Sequence, residues 1–222
     1  TTDRRWLFLI MKPTLLFPLG LAVVAGLIAA APKKEMPPAG ALEKIVESLP
    51  AKSYAEPKQK RKLLVFSKTA GFRHKSIATG KVALKEMGEK TGAFEAVISD
   101  DLANFEPDKI GQFDAILFLS TTQNVFKGAE NEKALQESLM SFIRSGKGFI
   151  GIHAATDTFY NWPEYGEMIN GYFDGHPWGA GTPVHIFVEP GQEEHPLAAM
   201  FEGEPLEFKE EIYQLKDPYD SS

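Results

Sequence analysis

A mostly parallel β-sheet covered by helices on both faces is what this sequence predicts, and three observations carry it. Short apolar runs recur at Leu63–Ser67, Phe94–Ser99, Ala115–Ser120 and Phe149–Ile152. Segments with helical spacing of apolar residues lie between them. The runs are continuous rather than alternating, as expected of strands buried on both faces. Strand–helix alternation of this kind argues a layered α/β domain.

The elements follow in order. Residues 32–61 are rich in Pro, Lys, Ala and Glu and read as a linker. Within them Leu42, Ile45, Val46 and Leu49 mark one short amphipathic helix whose apolar face is expected to dock on the domain. LLVFS (63–67) is the first strand. Ser76–Lys90 is a helix with Ile77, Leu84 and Met87 on one side. FEAVIS (94–99) and AILFLS (115–120) are the next strands. Glu130–Ser145 is a helix, with Leu135, Leu139, Phe142 and Ile143 on one face and Gly146 as its stop. Phe149–Ile152 is the fourth strand, read as buried. After Trp162 the rhythm weakens, and only Val184–Val188 and Leu206–Tyr213 suggest further strands.

The chain has 222 residues, 43% hydrophobic and 24% charged, with no cysteine. Those values are ordinary for a globular protein. The missing cysteine removes disulfides, thiolate nucleophiles and Cys-ligated zinc together. Residues 1–31 read as an upstream extension and a secretory signal. Met11 and Lys12 precede an apolar run from Thr14 that ends in Ala29, Ala30 and Ala31. Export to the periplasm or the extracellular space is the expectation. An uncleaved leader would instead be a membrane anchor, since the run is near the roughly 18-residue minimum for a span. The net charge is −6, and residues 1–31 contribute +2, so the remainder is acidic. An acidic domain lacks the attraction that nucleic acid requires, so no nucleic-acid partner is expected.

If the strands are parallel, the ends of the first, third and fourth share one rim, where open α/β sheets bind ligands. The segments leaving that rim are polar: Thr69–His74, Ser120–Asn124 and His153–Asp157. His74 and His153 should therefore converge. His153 with Asp157 reads as an oriented general base, the carboxylate fixing the ring's tautomer. The alternative is a turn in which Asp157 caps the next helix. A serine triad is not favoured, because no G-x-S-x-G elbow occurs. His74, His153, His176, His185 and His195 are candidate ligands, but none forms an H-x-x-x-H pair, so any metal site must be assembled from distant loops. Glu210 and Glu211 offer oxygen donors suited to harder divalent ions. His185, inside an apolar alternation, reads as structural. Gly146–Gly151 matches G-x-G-x-x-G but follows a helix and enters a strand, the reverse of a dinucleotide site, so no nucleotide is expected. Seven aromatics crowd Phe159–Trp178, and two or three of them are expected to line a pocket for the flat faces of sugar rings.

GFRHKSI (71–77), FLSTTQ (118–123), GIHAATDTFYNWPEYGEMINGYFDGHPW (151–178), EEHPLAAMF (193–201) and EEIYQ (210–214) together resemble the ThuA-like family, named for trehalose utilisation. The resemblance covers about Lys62–Tyr219, within a domain taken as residues 62–222. It implies a flavodoxin-like three-layer sandwich related to class I glutamine amidotransferases. In those enzymes a cysteine occupies the turn where this chain has His153, so glutamine hydrolysis through a thiolate is excluded here. It also implies a link with disaccharides and keto-sugars. His74, His153, His195 and Glu211 fall on the family's recurring polar positions, and Tyr213 sits beside the last. Relatives continue past the EEIYQ-like segment, so the domain is expected to be C-terminally truncated, with one sheet edge unpaired.

The resulting expectation is an exported sugar-processing protein using histidine-based, metal-assisted acid–base chemistry. His153, Asp157 and His74 are the catalytic candidates. Arg73, Thr121, Tyr160, Trp162, His176 and Tyr213 are the candidates for binding a small-molecule sugar. His74, His153 and Glu211 are the candidates for one divalent metal. A non-catalytic carbohydrate-binding module is the alternative, and neither the substrate nor the oligomeric state is legible.

Overall fold

The sheet is built from four short apolar strands whose alternate residues face opposite helices. The computed structural model describes residues 35–198, 201 and 204–220. The expected leader, residues 1–31, lies outside the described residues. In chain order the elements are α1 (Ala41–Ser48), β1 (Lys62–Phe66), α2 (Ser76–Thr91), β2 (Glu95–Ile98), β3 (Ala115–Leu119), α3 (Glu132–Arg144) and β4 (Gly148–Ile152). A 3-10 turn (His153–Asp157), α4 (Pro163–Ile169), β5 (Tyr172–Phe173), β6 (Pro183–Ile186), β7 (Leu206–Lys209) and β8 (Leu215–Lys216) follow. No helix among the described residues is long and apolar enough to cross a membrane.

The strand order is β2-β1-β3-β4, and every pair is parallel. This is the flavodoxin-like doubly wound order, with its switch point between β1 and β3. Strand side chains alternate between faces. Leu64, Phe66, Ile116 and Phe118 enter a core with Leu135, Leu139 and Phe142 of α3. Leu63, Val65, Leu117 and Leu119 meet Ile77 of α2 on the other face. Three layers result, as expected. Gly146 adopts φ 88° and its N–H bonds Ile143 O, which closes α3 as anticipated.

Two expectations need correction. β4 is not buried. It is an outer strand of this sheet, and Ile150 is 44% exposed. An apolar run reads the same whether or not a neighbour covers its far edge. The apolar face of α1 is also only half covered. Leu49 is buried, but Leu42 and Val46 are 47% and 40% exposed. α1 is held instead by Lys90 of α2, whose Nζ donates to Val46 O at 3.0 Å and Leu49 O at 2.9 Å. A cation on the final carbonyls of a helix satisfies groups with no partner inside it.

Asp114 staples the opposite end of the sheet from the polar rim. Its carboxylate accepts from Lys62 N and Arg61 Nη1, each at 2.9 Å, and Lys147 Nζ lies 3.8 Å away. The Lys62 backbone bond first, and Arg61 second, hold its pKa below the ordinary aspartate value. A depressed carboxylate stabilises the fold above its unfolded pKa and loses that contribution as pH falls through its folded pKa. Asp114→Asn should therefore lower the urea midpoint most near neutral pH. The gap from the parent should close as pH drops below about 4. A gap that is constant down to pH 2 contradicts this role.

Candidate functional site

Three loops leave the C-terminal rim, and the loop after β3 ties the other two together. Ala70 N bonds Thr122 O at 2.9 Å, Gly71 N bonds Thr122 Oγ1 at 3.2 Å, and Thr122 Oγ1 donates to Phe72 O at 2.9 Å. These bonds hold the β1 loop that carries His74. On the other side Gln123 N bonds Asp157 O at 2.6 Å, and Phe159 N bonds Gln123 O at 3.2 Å. Those hold the turn that begins with His153. Ser120, Gln123, His153 and Phe159 all have positive φ, 49–59°. Non-glycine residues hold that conformation only where their surroundings over-determine it, and such residues cluster at functional sites.

His74 and His153 meet as the topology predicts. Their rings stand edge to face with centroids 4.6 Å apart. A third segment completes the site. Residues 210–214 are zipped antiparallel to 175–182 through Glu210 N to Thr182 O, Ile212 N to Trp178 O and Gln214 N to Gly175 O. In extended chain Glu211 and Tyr213 share a face. Both reach His153. Glu211 Oε1 lies 3.2 Å, and Tyr213 Oη 3.0 Å, from Nε2. Donor atoms of His74, His153 and Glu211 all lie within 4.8 Å of one another.

The electrostatics of this cluster are specific. A single imidazole nitrogen offers one proton or one lone pair. Nε2 of His153 therefore cannot satisfy a carboxylate and accept from a phenol at once. Burial, then the neighbouring His153, push His74 below the usual imidazole pKa, which favours its neutral form. Its Nδ1 is buried with no hydrogen-bond partner. Burial first, then Glu211 and Asp157, push Tyr213 up to about 12, so its hydroxyl stays protonated near pH 7.

The other expected residues divide. Asp157 does not orient His153. Its Oδ1 accepts from Tyr160 Oη at 2.5 Å and Gln123 Nε2 at 3.2 Å. The carboxylate beside His153 is Glu211, far away in sequence. Four residues along a 3-10 turn of three residues per turn bring Asp157 past His153's side. Burial, then the bond to Asp157, push Tyr160 above the ordinary phenol value. Thr121 is wholly buried, its Oγ1 2.9 Å from that of Thr158, and so is closed to a ligand. Trp162 packs on the core, stacked on Tyr165 and edge-on to Phe159. Phe159, Tyr165 and Tyr172 are core residues too.

His176 stacks on Phe173 and Tyr213, and its Nδ1 lies 3.9 Å from Glu211 Oε2. It is half exposed at the rim of the site. His195 caps a turn through Leu197 N. His185 pairs across the ribbon with Glu207. Arg73 binds Glu35 and the carbonyl of Ser67. Sequence reasoning missed Glu35 altogether, and it placed Gln123 and Phe72 in rim loops and Phe173 among the clustered aromatics without giving them individual roles. The ring of Phe72 stands edge-on to His74 at 4.8 Å, and that of Phe173 lies 4.3 Å from Tyr213. Glu35 lies outside every block that carries the family resemblance.

Residues 62–222 match the family model described as ThuA, trehalose utilisation. The chain belongs to the ThuA family. Among solved structures it is similar to a ThuA-like protein from Bacteroides uniformis, at 24% identity and a TM-score of 0.56. The match covers 73% of this chain and 64% of that one, so the chain spans less than two thirds of the neighbour's length. At that identity the likeness shows the fold alone. No curated protein matches. The family match supports the α/β reading and a link to trehalose or carbohydrate utilisation.

Thr122 is the residue on which the junction of the two histidine loops turns. Thr122→Val keeps its shape but leaves Gly71 N and Phe72 O without their partner. That should cost about 1–3 kcal/mol of unfolding free energy in urea titration. A loss below about 0.5 kcal/mol contradicts the clasp.

Proposed function

We propose that this ThuA-family chain is an exported sugar-processing enzyme acting on a disaccharide or its keto form through histidine-centred acid–base chemistry assisted by a divalent cation. One observation carries the reading. Ligand-type side chains from three separate segments converge at His74, His153 and Glu211, and a buried His74 nitrogen has no partner there. Two imidazoles and a carboxylate suit zinc or a similar divalent ion and leave coordination positions for substrate. When bound, such an ion polarises a sugar hydroxyl or carbonyl oxygen.

The protein's own groups supply the rest. Glu211 and His153 would hold the cation through a carboxylate oxygen and Nε2, so that Nε2 need no longer serve both the carboxylate and the phenol. Tyr213, protonated and 3.0 Å from that nitrogen, presents a hydroxyl to a sugar oxygen. Asp157 adds negative charge near both His74 and Tyr213. Its carboxylate is steadied by Tyr160 and Gln123. Phe173 and His176 offer flat faces beside Tyr213 for a sugar ring. Export rests on the apolar leader ending in three alanines.

Calorimetric titration with zinc tests the reading. The parent should bind one equivalent. His74→Ala, His153→Ala and Glu211→Ala should each weaken uptake by at least about 100-fold while far-ultraviolet dichroism stays unchanged. Disaccharides and their keto derivatives should be consumed by the parent and not by His153→Ala. Zinc uptake equal in all four proteins contradicts the cation site. Sugar binding without turnover by the parent contradicts the enzyme reading.

A further inference from the structure

Arg73 holds an intramolecular carboxylate in a cleft beside His74. Its Nε and Nη2 donate to the two oxygens of Glu35 at 2.5 and 2.6 Å. That is the two-pronged geometry by which a guanidinium recognises any carboxylate. The remaining prong is fixed from below, with Nη1 donating to Ser67 O at 2.8 Å. Ser67 is itself buried and pinned, its N and Oγ bonded to Asp100 Oδ1 at 2.7 and 2.9 Å. The sheet therefore aims the guanidinium, and Glu35 merely occupies it.

The segment that carries Glu35 is weakly held. Met36 is 71% exposed. Among the described residues, no hydrogen bond or ion pair other than those to Arg73 ties residues 35–37 to the domain. The cleft between this segment and the domain is about 510 Å³ with the segment in place, and Arg73, His74, Lys75 and Ala78 form its domain side. Arg73 and His74 line the same cleft, so a ligand seated on the fork lies beside His74.

We propose that Arg73 is the anion-recognition element of a substrate subsite, and that Glu35 is a built-in stand-in for the carboxylate of an acidic sugar. The inference rests on the proposed sugar-processing role, and narrows it to uronic or aldonic acid substrates. A ligand carboxylate replaces Glu35 on Nε and Nη2, and the 35–38 strap swings aside. The pair is partly open to solvent, its side chains 33% and 43% exposed, so a ligand carboxylate that makes further contacts in the cleft can exchange with Glu35. The tether nevertheless competes with it, since a carboxylate a few residues from its site acts at high effective concentration.

The test uses glucuronate and glucose as probes of the full chain, by calorimetry. Glu35→Gln removes the competing charge and should tighten glucuronate binding about 10-fold or more. Glucose binding should not change. Adding Arg73→Lys, which keeps the charge and loses the fork, or Arg73→Ala should cancel the gain. Glucuronate affinity within twofold of the parent in Glu35→Gln overturns the subsite. So does a gain that survives either Arg73 substitution, or the absence of glucuronate binding in every variant. Zinc uptake is read separately in the same proteins. Its loss everywhere defeats the cation site, while a failed glucuronate response with intact zinc uptake defeats this inference alone.

Discussion

The candidate site depends on one clasp, the pair Thr122–Gln123 at the end of β3. Parallel register brings the ends of β1, β3 and β4 to one rim, but register alone does not fix where loops point. Thr122 is wholly buried and takes the β1 loop by three hydrogen bonds. Gln123 takes the β4 turn by backbone bonds on both its N–H and its carbonyl. The two histidines are thereby referred to a common anchor. Gly71 shows how closely the parts fit, since a Cβ there would lie 2.6 Å from Gln123 Cγ. Four left-handed residues at the rim cost free energy that this bonding must offset.

Much of the fold is legible in the sequence because burial on two faces demands it. Leu63–Phe66 and Ala115–Leu119 serve two cores at once, so both must be apolar throughout, and their extent is visible as an uninterrupted run. β4 shows where that inference stops. Its residues are apolar although its outer edge has no partner among the described residues, and a run does not report its own neighbours. The rhythm fails after Trp162 because β5 and β8 are two residues long and β6–β7 is an isolated ribbon. Too few residues alternate there to make a period.

The site was legible to the same depth. His74 and His153 converge by topology, which needs only the strand order. Glu211 and Tyr213 stood out only through likeness to a family, since 58 residues separate Glu211 from His153 and no local pattern joins them. Asp157 misled because a carboxylate four residues from a histidine looks like its partner. The 3-10 turn sends it instead to Tyr160 and Gln123. Thr121 misled because a hydroxyl at a ligand-binding rim looks available, whereas β3 carries it under the surface to Thr158. Ser120, Thr121 and Thr122 are buried in succession beyond β3, and polar chemistry alone does not mark how far that burial runs.

What the rim achieves physically is to gather groups that repel or compete unless something sits between them. The ligand atoms of His74, His153 and Glu211 lie within 4.8 Å of one another, and the raised-pKa phenol of Tyr213 stands 3.0 Å from His153 Nε2. The most direct measurement is crystallography with zinc at its absorption edge. One anomalous peak is expected roughly 2.0–2.2 Å from a nitrogen of His74, a nitrogen of His153 and an oxygen of Glu211. A zinc-soaked crystal with the rings of His74 and His153 on separate faces, or with its metal bound elsewhere, would contradict it.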